Sequence, residues 1–354
     1  MIPLLYSNGA ASFSTLGLGA LPEALDCVVH EERNGPFELT LTAPATATHA
    51  AQLVPGNLIV ADASPGQPRQ AFEIIDTRKT LDGRISVEAV HISYRLKYSI
   101  LKSFTEASAS AFFTLLNTKT PTNYIEGNGF TFKTDITSAA SISQADYQTV
   151  RDVLGGIEGS ALDVYGGTWK WDNFTASLLS ARGSDNGVRI LYGKNLQDLT
   201  VEADADNVVD GVWAIFTESG VTTVHASEIK YGPTRGDYSY GRTVIRDFAG
   251  DFDSTPTQGQ LNTAAQAWID TQGTIPVNLA ATWIPLSDTI EYQSLAPVES
   301  VELDDTVHVF VPSLGVDASA KVIATDYDVL RGRYSAVQIG NFRTSITDAI
   351  KAIR

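Results

Sequence analysis

Apolar and polar residues alternate through most of the first hundred positions. LDCVVHEERNGPFELTLTAP contains two strand-like runs joined across Asn34-Gly35, a dipeptide suited to the positive φ angles of a tight hairpin. GNLIVAD follows, and then AFEIIDTRKTLDGRISVEAVHISY, a second hairpin pair turning at Asp82-Gly83. Short strands separated by regular turn signals predict a barrel or a sandwich.

After Tyr98 the pattern changes. EASASAFFTLLNTKTP places Phe112, Phe113, Leu115 and Leu116 on a short helix that stops before Pro121. Val150, Val153, Leu154 and Ile157 keep helical spacing, broken by Gly155-Gly156. GGTWKWDNFTASLLSARGSDNGVRILYG returns to strands, with Trp169 and Trp171 on one face and turns at Asp172-Asn173 and Gly183 to Gly187. This middle block reads as α/β. From about 197 to 250 the chain is again strand-like. TPTQGQLNTAAQAWIDTQG then predicts a helix with Thr255 as N-cap, Pro256 in its first turn and Gly273 at its end. Its apolar stripe is Leu261, Ala264, Ala265, Trp268 and Ile269. Strands resume from Pro276 to Asn341, and NFRTSITDAIKAIR is a short amphipathic helix candidate.

Two of the hairpins resemble one another. IIDTRKTLDGRIS (74–86) and VIATDYDVLRGRYS (322–335) both read aliphatic-Ile-x-Thr, a linker, then Leu-x-Gly-Arg-x-Ser, with one extra residue in the second. Each follows an edge-like strand, GNLIVAD or DDTVHVFV. Two readings are open: convergence on the same turn chemistry, or two related barrels in one chain.

Composition narrows the chemistry. The net charge of −16 argues against a surface that grips nucleic acid, which needs clustered Lys and Arg, though not against one that nucleic acid must pass without sticking. Cys27 is the only cysteine, so no intramolecular disulfide is possible, and a strand position marks it as a small core residue. No apolar run is long enough for a membrane span, and no signal peptide is recognisable, so synthesis and folding in a reducing cytoplasm are expected.

RGSDNGVRILYGKN (182–195) superficially suggests a phosphate-binding loop. The interval from Gly187 to Gly193 is one residue too long, Asn195 stands where a metal-binding hydroxyl is needed, and the residues between are strand-like. The five histidines, His30, His49, His91, His225 and His308, lack the spacing of a shared metal site. No nucleophile-elbow pattern occurs. The five tryptophans could build a sugar-binding face, but their spacing on strands and one helix favours core packing. No catalytic, metal-binding or cofactor-binding residue is expected.

WDNFTASLLSARGSDNGVRILYGKNL (171–196) resembles the most recognisable segment of the N-terminal module of phage tail-associated proteins, the prophage endopeptidase tail family. VVHEERNGPFELTLTAP, VLGGIEGSALDVYGG and DTVHVFVPSLGVDASAKVIATDYDVLRGRYSAVQIGN fit in the same order, so the resemblance spans nearly the whole chain. It implies a multidomain α+β fold similar to baseplate hubs of contractile phages, with two related β-barrels and inserted α/β domains. The expected division is a first β-barrel at 1–100, an α/β insertion at 101–196 and a β segment returning to the first barrel at 197–250. A helix of a second α/β part at 251–275, a second β-barrel at 276–341 and a C-terminal helix at 342–354 would follow. In the family RGSDNG is a hairpin turn.

The resemblance further implies a non-enzymatic homotrimer at the virion tail tip, forming a pseudo-sixfold ring that continues and closes the tail tube. Its partners would be the distal tail ring, the tape measure protein and a spike or receptor-binding protein. DNA would pass transiently without specific binding, and no stable membrane association is expected. Three acidic chains around one channel would repel exiting DNA if their carboxylates face inward. Many relatives continue into a peptidoglycan hydrolase or receptor-binding extension; this sequence ends about a dozen residues after QIGN, so lytic activity of that kind is not expected. The alternatives are a tail-associated cell-wall hydrolase or carbohydrate-binding tail protein, and the hub of a phage-derived injection device. The terminal stripe Phe342, Ile346, Ile350 and Ile353 is a candidate partner-binding seam, near a threefold axis or against a spike protein; the other reading folds it back on its own core.

Overall fold

The computed structural model describes residues 2–191, 196–203, 209–218, 220–233, 235, 240–252, 254–272, 277–283, 301–311 and 316–340. The chain forms two compact units, one of residues 1–200 with 279–354 and one of residues 201–278. The protein is mostly β, with few helices.

The first unit is built on a sheet of thirteen strands. Twelve carry the argument. In the N-terminal part they are β1 (Leu4–Tyr6), β2 (Asp26–Glu32), β3 (Phe37–Pro44), β4 (Leu58–Ala61), β5 (Gln70–Lys79) and β6 (Arg84–His91). In the C-terminal part they are β7 (Asp185–Leu191), β8 (Leu196–Ala203), β9 (Val277–Trp283), β10 (Thr306–Val311), β11 (Val316–Asp328) and β12 (Arg333–Gly340). The thirteenth, Gly19–Ala20, adds to β1. Strand order in the first six is β2-β3-β6-β5-β4-β1, and in the second six β8-β9-β12-β11-β10-β7. Each strand thus occupies the place of the strand six later. The two sets join where β11 pairs antiparallel with β2, Ala324 opposite Glu32 and Asp328 opposite Val28.

The correspondence extends to single hydrogen bonds. Ile74 N–H donates to Asn57 O and Gly56 N–H to Ile74 O, both at 2.9 Å; Val322 N–H donates to Asp305 O and Asp304 N–H to Val322 O, also at 2.9 Å. Gly56 and Asp304 both have positive φ, 92° and 72°. The register of β5 on β6 slips between Ile74 and Asp76, and that of β11 on β12 between Val322 and Ala324. A bulge adds one residue to one strand and sharpens its twist, so a matched bulge bends both hairpins at the same place. Each hairpin turns on a glycine of positive φ, Gly83 (79°) and Gly332 (68°), where a Cβ would be strained. Convergence on turn chemistry does not account for shared order, bulge and bonds. One departure stands out: β1 is antiparallel to β4, whereas β7 is parallel to β10. Among the described residues no strand pairing closes either set into a barrel.

The expected alternation is visible in the strands. Residues of β3 alternate buried and exposed or half-buried, with Phe37, Leu39 and Leu41 inward. Cys27 is fully buried between them, and burial pushes its thiol pKa up, as befits a core residue. Between β6 and β7 lie α1 (Ala109–Asn117), α2 (Val150–Gly155), α3 (Ala161–Tyr165) and three small sheets. Ser108 caps α1 and Thr149 caps α2, each accepting a backbone N–H. Phe112, Phe113 and Leu116 pack with Trp169, Trp171 and the residues of β2 to β6 in one continuous cluster. The α/β insertion therefore shares its core with the first six strands. The second six have a smaller core, including Val188, Leu303, Val307, Val322 and Ile339.

The segment expected to return from 197–250 to the first barrel does otherwise. After β8 the chain builds a separate four-stranded sheet in the second unit, with Gly211–Glu218 at its centre. Val221–His225 and Lys230–Tyr231 lie antiparallel to that strand and Thr243–Asp247 parallel to it. Helix α4 (Gln258–Gln272) covers this sheet, burying Leu261, Ala265 and Ile269 against Val212, Ala214 and Phe216. The apolar face of α4 needs a partner sheet, and the nearest strands in sequence supply it. Its cap is Thr257, not Thr255: Thr257 Oγ1 accepts Gln260 N–H at 3.3 Å while Gln260 Oε1 accepts Thr257 N–H at 2.9 Å. This second unit occupies the connection from β8 to β9, where the first set has only the four-residue turn between β2 and β3.

Candidate functional site

The RGSD stretch leads from the α/β insertion into β7 and is tied into a buried polar junction within the first unit. The Arg182 guanidinium forms a bidentate pair with Glu31 of β2 at 2.7 and 3.0 Å, and both side chains are about as buried as the core, 5% and 3% exposed. A second fork bond reaches Trp169 O at 3.1 Å. Planar two-point geometry suits a guanidinium better than an ammonium. One residue on, a Cβ at Gly183 would lie 2.1 Å from the backbone carbon of Asp304, so only glycine allows this approach. Ser184 N–H then donates to Asp305 Oδ1 at 2.7 Å, and Thr306 N–H donates to Ser184 O at 3.0 Å.

Asp304 is the other centre of the junction. Its carboxylate pairs with Arg33 at 2.7 Å and Lys321 at 3.2 Å and accepts the Arg182 N–H at 3.3 Å. Burial alone would raise its pKa, but Arg33 and Lys321 hold it below the usual carboxylate range. Nearby, Glu302 accepts from Ser64 Oγ at 2.5 Å and from Gly66 N–H at 2.8 Å, and burial raises its pKa. Each of these groups is consumed by a partner in the fold, and the arrangement holds strands together. It offers no nucleophile beside a free base.

RGSDNG does not form the hairpin turn that the resemblance implied. The strand before it, Thr175–Leu179, belongs to a different sheet from β7, and β7 pairs parallel with β10. Arg182 to Ser184 make the crossover, and Asp185, Asn186 and Gly187, the last at φ 71°, open β7 with a register slip between Asp185 and Val188. Sequence reasoning missed Glu31, Arg33 and Asp304 because they join one another or Arg182 across more than a hundred positions, and Lys321 because its partner Asp304, 17 positions back, is brought beside it only by the pairing of β10 with β11. The one local signal was an Arg-Gly pair entering a strand.

The remaining candidates are dispersed. Among the described residues no group of His, Cys, Asp and Glu could hold a metal ion. His91 is buried and stacked on Phe37 at 4.4 Å, and burial lowers its pKa to about 3. Trp169 and Trp171 stack on each other at 5.3 Å inside the core, and Trp213 stacks on His225 at 6.0 Å; they form no shared sugar face. A cleft of about 490 Å³ between α1 and Thr131–Thr134 is lined by Phe113, Asn117 and Lys133, among others. Its carboxylate, Asp135, is engaged by Ser180 at 2.7 Å. Phe342, Ile346, Ile350 and Ile353 lie outside the described residues.

Comparisons with known proteins agree on the fold. The crystal structure of prophage tail protein gp18 from Listeria monocytogenes EGD-e is similar over 100% of this chain and 98% of its own, with a TM-score of 0.59 at 13% identity. The tail protein from Neisseria meningitidis MC58 covers 98% of both chains, with a TM-score of 0.60 at 13% identity. The 43 kDa tail protein of prophage MuSo2 from Shewanella oneidensis gives a TM-score of 0.62 at 11% identity, over 96% of this chain and 98% of that one. No curated protein matches the chain. The model of the family described as prophage endopeptidase tail matches residues 184–350, which begin one residue after Gly183 and take in the second set of six strands. This protein has the fold of phage tail proteins, and its residues 184–350 match the prophage endopeptidase tail family.

Proposed function

We propose that this protein is a structural component of a phage tail tip or baseplate, a hub rather than an enzyme. The observation that carries the reading is the duplicated six-strand arrangement. Two equivalent sets per chain let three chains present six, which matches a threefold hub to a sixfold tube. In this reading each set contributes one segment of a barrel-lined ring that continues and closes the tail tube. The distal tail ring docks on one side, the tape measure ends at the ring, and a spike or receptor-binding protein seats on the other. The acidic chain, at −16, suits a conduit through which DNA passes without adhering. The terminal stripe Phe342, Ile346, Ile350 and Ile353 is proposed as a partner-binding seam. The buried ionic junction fits a part under mechanical stress, because it ties the insertion, β2 and the second set together.

Native mass spectrometry of the purified chain over a range of concentrations tests this reading, followed by electron microscopy of the assembled species. A closed trimer with a central channel is the expected result. A zymogram on purified cell walls addresses the hydrolase alternative, and clearing of the gel would overturn the non-enzymatic assignment.

A further inference from the structure

The two sets of strands are equivalent, but their edges are treated differently. In the second set, β11 is flanked on its outer side twice: β10 covers Val316–Lys321, and β2 covers Ala324–Asp328. In the first set, β4 covers Gln70–Glu73 of β5, and among the described residues nothing pairs with the outer side of Asp76–Lys79. Those positions correspond to Ala324–Tyr327. Alternation fixes which groups are left open: Thr80 N–H donates to Arg84 O across the turn, so Asp76 and Arg78 face β6 and Thr77 and Lys79 turn their N–H and C=O outward. In β11 the matching positions, Thr325 and Tyr327, lie opposite Glu31 and Val29 of β2, between two bonds of the same alternation: Arg33 N–H donates to Ile323 O at 2.8 Å, and Val329 N–H to Cys27 O at 2.9 Å.

Burial follows the pairing. Thr325 and Tyr327 are 3% and 5% exposed beside β2, whereas Ile75 is 52% exposed and Arg78 and Lys79 are open. Leu81 stands fully exposed at the hairpin tip. A bare strand edge flanked by exposed Ile and Leu is a template for pairing, which folded proteins ordinarily cover or charge. The complementary edge exists on the same chain. β8 holds the place in the second set that β2 holds in the first, and it ends the sheet order with one side unpaired among the described residues. Its sequence, LQDLTVEA, carries two acidic residues and no basic one, against Asp76, Arg78 and Lys79 on the β5 edge, where Arg78 is paired with Asp76 at 2.7 Å and Lys79 is exposed.

We infer that the β5 edge at Asp76–Lys79 receives β8 of a second copy of this chain, repeating between chains the β11–β2 junction formed within the chain. The inference rests on the ring proposed above and deepens it by naming the strands that join. A heterologous contact of this kind closes into a ring when the rotation between sets is a whole fraction of a turn, and otherwise extends. Charges on the edge do not oppose the pairing, because the internal junction also carries them: His30 of β2 meets Asp326 of β11 at 2.6 Å.

Hydrogen exchange of the full chain, read alongside native mass across concentrations, tests this. The expected result is that the peptide holding Thr77 and Lys79 slows by roughly tenfold or more as the trimer forms. A trimer in which that peptide still exchanges as an open edge overturns the strand assignment and leaves the ring standing. A chain that stays monomeric throughout overturns both. Thr77→Pro removes an outward N–H at an edge position where proline is tolerated, so a folded monomer is expected. A Thr77→Pro chain with unchanged trimer mass overturns the assignment. Should that variant fail to fold, the exchange measurement on the unmodified chain decides alone.

Discussion

Arg182 and Glu31 carry more of the architecture than their positions suggest. Each leaves the other as an uncompensated buried charge when removed, which costs about 3–5 kcal/mol, whereas replacing both with apolar residues of similar volume costs much less. Arg182→Met should therefore lower the urea midpoint sharply, and Arg182→Met with Glu31→Leu should restore most of it. Gly183→Ala forces a methyl into the Asp304 backbone and should cost about 1–3 kcal/mol by the same measurement. Two histidines set the pH response with opposite signs. Hydrogen bonds donated by His30 to the carboxylates of Asp326 and then Glu32 raise its pKa from 6.5 to about 10, so its contribution is full below 6.5 and is lost as pH rises toward 10. Burial lowers that of His91 to about 3, so its contribution is present above 6.5 and is lost as pH falls toward 3. Denaturation across pH should show a stability maximum near neutrality, with His30→Gln flattening the alkaline side; an unchanged alkaline side would refute the assignment to His30.

At the scale of elements, the hairpins and helices were readable because their signals are local. Asn34, Gly83 and the stripe of α4 act through neighbours a few residues away, and all three appear as expected. The cap of α4 moved from Thr255 to Thr257 because Gln260 completes a reciprocal pair only with the later residue. The destination of residues 211–247 was not readable. Strand-like alternation says that a strand has a buried face, but not which sheet or helix buries it. Leu261→Ala should remove about 2–5 kcal/mol from the second unit. Because 201–278 has its own core, a separate early unfolding transition is expected, with exchange in β2 to β6 unchanged.

For the whole molecule, the repeat governs the functional reading. Two equivalent sets joined by an intramolecular junction have, among the described residues, no partner for the counterpart of that junction at either end, which is a physical reason to assemble. The terminal stripe belongs at this scale too. Ile346→Asp with Ile350→Asp should weaken trimerisation or binding of a spike partner, seen as a shift in native mass or loss of co-purification. Unchanged assembly and partner binding would return those residues to the chain's own core.

Local chemistry, the sequence alone, determined that this is a strand-rich chain with no nucleotide loop, a buried lone cysteine, short capped helices and two hairpins of one design. These depend on backbone sterics, side-chain periodicity and turn residues, whose range is a few positions. Only the tertiary structure decided that the hairpins share one strand arrangement, that Arg182 seeks Glu31 and Gly183 must admit Asp304, and that one strand edge is covered while its twin has no partner among the described residues. Those outcomes depend on contacts between residues far apart in the chain, where hydrophobic burial is non-directional and many partners satisfy the same pattern. Geometry in three dimensions, through hydrogen-bond register and close backbone approach, selects among them.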